Sequence, residues 1–113
     1  MFSVAFFRTG AGNEPVLDWL RSLSREDRAI LGADLRTIQL GFPVGMPLCR
    51  PLKGGLFESR SSLTGNREAR LIFFQDDELL IVVGGFIKKT RTTPQSELEN
   101  ARKRKREYEK NKL

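Results

Sequence analysis

The side chains best able to do chemistry in this sequence are basic, and several fall where strands would bring them together. Arg60 and Arg70 lie in consecutive β-rich segments separated by a turn containing Gly65, so a hairpin places them side by side on one face. Two adjacent guanidinium groups repel each other unless an anion lies between them. Lys88 and Lys89 end a further strand, and because successive strand residues point to opposite faces, only one can join the arginines. The pattern predicts an anion-binding cluster in which a lysine acts as base or acid.

The amino-acid composition excludes several other kinds of chemistry. Histidine is absent and cysteine occurs once, which excludes triads built on imidazole, the common metal-ligand sets, disulfides and Cys-rich metal sites. We therefore expect no cofactor. No apolar run approaches the roughly 20 residues of a membrane-spanning helix, and the first residues lack the basic region of a signal peptide. We expect a single domain over residues 1–113 that is cytoplasmic and does not bind membranes.

The positive charge is concentrated at one end of the chain. The formal net charge of +6 lies wholly in residues 88–113, because residues 1–87 hold equal numbers of acidic and basic side chains. Its densest part is the run RKRKR at residues 102–106. A localised cationic patch favours a polyanionic partner, although a helix kept soluble by Lys and Arg would show the same run.

The hydrophobic pattern predicts one strand, two helices, three strands and a final helix. In order, they are a strand over residues 2–8, helices capped by Asn13 and Ser24, and strands over 56–61, 67–74 and 78–87. The second helix ends at Gly41, and the Pro- and Gly-rich residues 41–51 predict an irregular connection. The last two strands are apolar on both faces, so we expect them to be central and covered on both sides.

The final helix is strongly basic. Thr93 and the proline after it are typical of a helix start and predict a helix over residues 94–112. Its apolar stripe, Leu98, Ala101 and Tyr108, is thin, so we expect the start of the helix to dock and its end to project. The order β-α-α-β-β-β-α predicts an α+β fold, in which a small, antiparallel-dominated four-stranded sheet carries the N-terminal helical hairpin on one face.

Three segments carry a resemblance to a known superfamily. They are PLKGGLFESR at residues 51–60, REARLIFF at 67–74 and GFIKKTRTTP at 85–94, the last followed by the basic helix. On these motifs the chain resembles the RelE/ParE superfamily of small toxins from bacterial and phage toxin–antitoxin modules, and within it the HigB-like, phage-derived branch. The resemblance implies a RelE-like microbial RNase-type fold, ribosome-dependent cleavage of mRNA and a cognate helix-turn-helix antitoxin as partner.

The resemblance also implies roles for individual residues. Arg70 matches the family's phosphate-clamping arginine, and Arg60, Lys88 and Lys89 complete the expected catalytic set. A metal-independent endoribonuclease uses the RNA's own 2′-OH to attack the adjacent phosphorus, which requires a base, charge stabilisation at phosphate oxygens and help for the leaving 5′-oxygen. The residues expected to contact mRNA or ribosomal RNA are Lys53, Arg67, Arg91, Arg102, Arg104, Lys105 and Tyr108.

Other interpretations fit the same residues. Arg70 could pair with Glu58 or Glu68 across the sheet, and Tyr108 could be a packing residue on its helical stripe. A second class of function is a non-catalytic, ParE-like toxin that inhibits DNA gyrase and needs no phosphate-clamping cluster. A third is a basic module that binds nucleic acid or protein without toxicity.

Overall fold

The computed structural model describes residues 1–43, 45, 48–89 and 91–112. Its elements are β1 (Ser3–Phe6), α1 (Pro15–Ser22), α2 (Arg25–Gly41), β2 (Cys49–Pro51), β3 (Leu56–Leu63), β4 (Arg67–Asp76), β5 (Leu79–Ile87) and α3 (Gln95–Lys112), with a short 3₁₀ helix at Lys53–Gly55. Part of the connection expected over 41–51, and the Thr90 of the Lys-Lys-Thr motif, lie outside the described residues.

The described residues form one mixed sheet with the strand order β1-β5-β4-β3-β2. β1 runs parallel to β5, and the other three pairings are antiparallel. The predicted α+β class is confirmed, but the expected number of four strands is wrong, because β2 adds a fifth. β1 and β5 are separated along the chain by α1, α2 and the strands β2 to β4, and a parallel pair needs a long connection of this kind rather than a tight turn.

The hairpin between β3 and β4 sets the geometry of the functional site. Gly65 and Asn66 both adopt positive φ, at 71° and 57°, in the turn between Leu63 and Arg67. Glycine adopts this conformation at no steric cost and asparagine tolerates it better than most residues. The resulting register places Arg60 directly opposite Arg70, which confirms the predicted pairing of these two positions.

Helices cover both faces of the sheet. α1 and α2 pack on one face of the sheet. The buried members of the core beneath them are Val16, Leu31, Ile38, Cys49, Leu63, Ala69, Leu71, Phe73, Leu80 and Val82. The Ser24 side chain accepts a hydrogen bond from the backbone N–H of Asp27 at 3.1 Å, so the predicted cap of α2 is confirmed. The expected cap of α1 is wrong, since Glu14 takes that position without a side-chain capping bond.

α3 covers part of the opposite face. The core beneath it comprises Phe7, Leu56, Ile72, Phe74, Ile81, Val83, Phe86 and Ala101. The Thr93 hydroxyl, expected to cap α3, donates instead to the carboxylate of Glu58. The end of α3 does not project as expected, because Tyr108 and Lys112 both donate to the carboxylate of Asp76, at 2.6 and 2.5 Å. No helix among the described residues is long and apolar enough to cross a bilayer.

Candidate functional site

A group of charged side chains occupies the sheet face that α3 covers only in part. Directly paired strand residues share a face, and Glu58 lies opposite Ile72 while Arg70 lies opposite Phe86. Because Ile72 and Phe86 belong to the core beneath α3, the charged residues lie beside that core. We call this set the basic cluster, and its members are Arg50, Glu58, Arg60, Glu68, Arg70 and Lys88.

Glu58 is the buried centre of the basic cluster. Its side chain has no exposed surface. One carboxylate oxygen accepts hydrogen bonds from Arg50 Nε at 3.0 Å and from Arg70 Nη1, and the other accepts from the Thr93 hydroxyl. A buried carboxylate needs such partners to offset its loss of hydration. Through Thr93, Glu58 also ties the segment before α3 to the sheet.

Arg70 is enclosed by carboxylates. The side chain is 1% exposed, and besides Nη1, which donates to Glu58, its Nε and Nη2 donate to Glu68 Oε2 at 2.8 and 2.6 Å. The alternative in which Arg70 pairs with acidic residues across the sheet is therefore the arrangement that the structure contains. In this arrangement the guanidinium has no surface with which to contact a phosphate.

Glu68 joins Arg70 to the solvent-facing part of the cluster. Its carboxylate is one-third exposed and lies 3.5 Å from Lys88 Nζ. Partial burial by itself raises the pKa of Glu68, but the hydrogen bond and charge of Arg70, with a smaller contribution from Lys88, lower it below its ordinary value. Glu68 is therefore ionised at neutral pH.

Arg60 is the cation of the cluster with no carboxylate partner among the described residues. It is half-buried, and its Nε is buried without a hydrogen-bond acceptor. The neighbouring cations differ, since Arg50, Arg70 and Lys88 each pair with Glu58 or Glu68. Four basic residues share two carboxylates in this cluster, so it carries a formal charge of +2 and leaves Arg60 available to an external anion.

The two consecutive lysines separate as strand alternation requires. Lys88 lies on the cluster face, where its backbone N–H donates to the Glu68 carbonyl at 2.8 Å. Lys89 is exposed and borders a different pocket, together with Trp19 and Pro94. Of the two lysines expected in the catalytic set, the structure therefore brings only Lys88 to Arg60.

Three residues expected to bind RNA lie outside both the cluster and α3. Arg67 forms a bidentate pair with Asp27 of α2, with both N–O distances 2.9 Å, and this hydrogen bonding lowers the pKa of Asp27. Arg67 thus joins the sheet to α2. Lys53 is exposed in the 3₁₀ helix, and Arg91 is exposed between β5 and α3.

The expected RNA-binding residues of α3 are all partly buried. Arg104 donates to the Val83 carbonyl at 2.8 Å, and Lys105 lies 5.4 Å from the centre of the Phe74 ring. Tyr108 packs edge-on against the same ring. Burial, followed by the hydrogen bond to Asp76, raises the pKa of Tyr108 to about 12. Arg102 is half-buried.

Tyr108 is remote from the basic cluster. Its partner Asp76 lies six positions along β4 from Arg70, a distance of ~20 Å in an extended strand. Tyr108 is therefore a docking residue of α3 in this structure and does not reach Arg60.

The sequence interpretation missed two contributors to the site. Arg50 lies in the short strand β2, inside a Pro- and Gly-rich segment that gave no strand signal. The second is Thr93, which the sequence predicts as a helix cap. Its contact with Glu58 joins residues 35 positions apart. The one available signal for Arg50 was its basic side chain close to a strand that carries Glu58. No group of three or more potential metal ligands occurs among the described residues.

The fold and the cluster define a small α+β protein with a cationic face beside its last helix. A family model described as "Phage derived protein Gp49-like (DUF891)" matches residues 18–106. The chain therefore belongs to this family, which is one of RelE-like toxin-type proteins. The resemblance stated from the sequence is confirmed at this level, whereas the HigB-like branch stays a prediction. No curated protein matches the chain.

Proposed function

We propose that the protein is the toxin of a type II toxin–antitoxin module and a ribosome-dependent endoribonuclease that cleaves mRNA without a metal. Two findings support this proposal: membership of the Gp49-like family, and the basic cluster. The observation that carries it is the Arg60 guanidinium, which has no partner within the described part of the chain and lies in a cluster of net positive charge. A phosphodiester supplies the anion that this guanidinium lacks.

Each exposed group of the cluster has a place in the proposed reaction. Arg60 stabilises charge on the phosphate oxygens while the 2′-OH attacks phosphorus. Glu68, held ionised by Arg70, accepts the proton of the 2′-OH, and the Lys88 ammonium donates a proton to the leaving 5′-oxygen. The P–O5′ bond breaks, which leaves a 2′,3′-cyclic phosphate and a free 5′-OH.

Arg70 has a different role in this proposal from the one its family resemblance implies. Its guanidinium is 1% exposed and holds both Glu58 and Glu68. We assign it as a positioning residue that fixes the Glu68 carboxylate and supports the strand bearing Arg60. Lys89 contributes no proton transfer, because it lies outside the cluster face.

The test compares Arg60→Ala with Arg36→Ala, an exposed arginine of α2 that forms no ion pair among the described residues. Cleavage of ribosome-bound mRNA is mapped by primer extension, and growth arrest is followed after induction. Wild type and Arg36→Ala should cleave mRNA only when ribosomes are present, whereas Arg60→Ala should lose roughly 10²-fold in rate. Both variants should melt at the wild-type temperature, because neither arginine forms an ion pair with any residue that the structure describes.

Two outcomes contradict the proposal. Full cleavage by Arg60→Ala refutes the assignment of the site, and absence of cleavage by the wild type refutes the enzymatic activity. The burial of Arg70 favours one alternative, a toxin that binds DNA gyrase and catalyses nothing. That alternative predicts that DNA replication stops before protein synthesis, so pulse labelling of the two processes distinguishes them.

The proposed partners follow from the same function. Ribosomal RNA would contact the exposed cations of α3 through its phosphates, and these cations are Lys103, Arg106, Lys110 and Lys112. The cognate antitoxin would be a helix-turn-helix protein encoded beside this gene. Co-expression with that neighbour should restore growth, and failure to do so would remove it as the antitoxin.

A further inference from the structure

A pocket adjoins the basic cluster where β3 passes α2. It has a volume of about 360 Å³, within the range of roughly 300–1,000 Å³ typical of small-molecule sites. The described residues that line it are Ile30, Asp34, Leu48, Arg60, Ser62 and Glu68. Because Arg60 and Glu68 belong to both the pocket and the cluster, a nucleotide whose phosphate contacts the cluster can place its base in this pocket.

The pocket contains a buried donor and a carboxylate that lack partners among the described residues. The Nε of Arg60 is buried without an acceptor. Asp34 on α2 forms no ion pair or side-chain hydrogen bond among the described residues, although it lines the same pocket as Arg60. Arg60 and Asp34 do not pair with each other. A ligand that fits the pocket would therefore present an acceptor to Arg60 and donors to Asp34.

The remaining walls suit a partly apolar ligand. Ile30 and Leu48 supply aliphatic surface, and Ser62 supplies a hydroxyl that donates or accepts. Aliphatic walls beside a few polar groups are typical of pockets that bind heterocyclic ligands.

On the proposed function of RNA binding, we infer that this pocket binds a nucleobase and selects guanine. Guanine presents the acceptors O6 and N7 along one edge, which suit an arginine. Its adjacent N1–H and N2–H groups can donate together to one carboxylate, here Asp34. Adenine and cytosine offer a carboxylate a single amino group, and uracil offers one N–H. Arg60 has five N–H donors, so it can contact a phosphate and a base.

The test uses the full chain and five 5′-mononucleotides, with binding followed by NMR titration. GMP, IMP, AMP, CMP and UMP carry the same phosphate, so differences in Kd report on the base. IMP lacks only the 2-amino group of GMP. GMP should bind at least roughly 10-fold more tightly than IMP, as expected for loss of a hydrogen bond to a charged group, with shifts at Ile30, Leu48 and Ser62.

The variant Asp34→Asn should abolish the difference between GMP and IMP. The matched control is Asp18→Asn, since Asp18 is an exposed carboxylate on α1 that pairs with no cation in the described part of the chain. This variant should keep the wild-type preference. Equal affinity for the five nucleotides, shifts confined to α3, or an unchanged GMP preference in Asp34→Asn would each overturn the inference. A purely structural role of Asp34 would not alter the ratio of the two Kd values.

The two proposals fail separately in these experiments. A protein that distinguishes GMP from IMP but leaves mRNA intact retains the base pocket and refutes the nuclease. A protein that cleaves mRNA but binds GMP and IMP equally retains the nuclease and refutes the base pocket.

Discussion

The charge on Glu58 should be the largest single electrostatic contribution to the stability of this fold. Its carboxylate is fully buried and accepts hydrogen bonds from Arg50, Arg70 and Thr93. The substitution Glu58→Gln keeps the shape and one acceptor oxygen but removes the charge. The guanidinium of Arg70, 1% exposed, then keeps Glu68 as its only counter-ion among the described residues.

The expected loss follows from the cost of an uncompensated buried charge. Removing one partner of a buried ion pair costs about 3–5 kcal/mol. The free energy of unfolding of domains of this size is about 5–15 kcal/mol, so Glu58→Gln should remove a large fraction of the stability. The double variant Glu58→Gln/Arg70→Gln removes both charges. It should lose less than the sum of the two single variants, because replacing a whole buried pair costs less than breaking it.

Urea unfolding followed by the fluorescence of Trp19 measures these losses, because Trp19 is the only tryptophan and lies on Gly85 of the sheet. The matched control is Glu78→Gln, an exposed carboxylate in the β4–β5 turn with no ion pair among the described residues. The free energy of unfolding of this control should stay within about 0.5 kcal/mol of the wild-type value. A loss below about 1 kcal/mol for Glu58→Gln, or strict additivity in the double variant, would refute the reasoning.

Two further predictions concern packing and pH. Gly85→Ala places a Cβ 2.8 and 2.9 Å from carbons of the Trp19 ring, so it should destabilise the protein by about 1–3 kcal/mol. Gly84→Ala is the control, because its Cβ would lie 3.4 Å from the nearest atom, and it should destabilise the protein less. Equal losses for the two variants in urea unfolding would contradict the prediction. Burial and Asp76 raise the pKa of Tyr108, the only tyrosine, to about 12, so ultraviolet titration should show Asp76→Asn lowering it towards the ordinary value of about 10. Since Tyr108 loses its proton at lower pH in the unfolded chain than in the folded protein, its contribution to stability is complete below about pH 10 and is lost as pH rises through the pKa of the folded protein. A titration midpoint of Tyr108 near pH 10 in the wild type would contradict this prediction.

Local signals predicted most of the fold. The Gly65–Asn66 turn fixed the β3–β4 hairpin, and Ser24 and Gly41 marked the ends of α2. Glycine or asparagine at positive φ and a serine at a helix start act through their immediate neighbours. These elements could therefore be predicted without knowledge of the tertiary structure.

The features that the sequence did not predict depend on distant contacts. β2 is three residues long and ends at Pro51, so it has no periodicity of its own and forms because β3 lies beside it. The end of α3 is polar, and its docking depends on Asp76, which lies 32 residues before Tyr108. A thin apolar stripe cannot reveal a polar contact of that kind.

The candidate site, like the fold, could be predicted from the sequence only in part. The hairpin register brought Arg60 beside Arg70, and strand alternation allowed only one lysine of the pair to join them; the structure identifies it as Lys88. The pairing of Arg70 with Glu58 or Glu68 is one of the alternatives that the sequence offers, but its burial could not be predicted, because it requires both carboxylates to flank one guanidinium at once. Alternation along a strand gives the face on which a side chain lies but not the depth at which it is buried.

The inner and outer parts of the cluster should therefore respond differently to substitution. Glu58 and Arg70 are buried and neutralise each other, so Arg70→Ala should abolish the proposed cleavage whether or not this arginine contacts RNA, because the sheet loses its buried ion network. Arg60 has no counter-ion among the residues that the structure describes, so its replacement removes none of the ion pairs seen there. Of these two arginines, only Arg60 allows a loss of cleavage at unchanged stability to be attributed to the site, and for this reason the functional proposal is tested there.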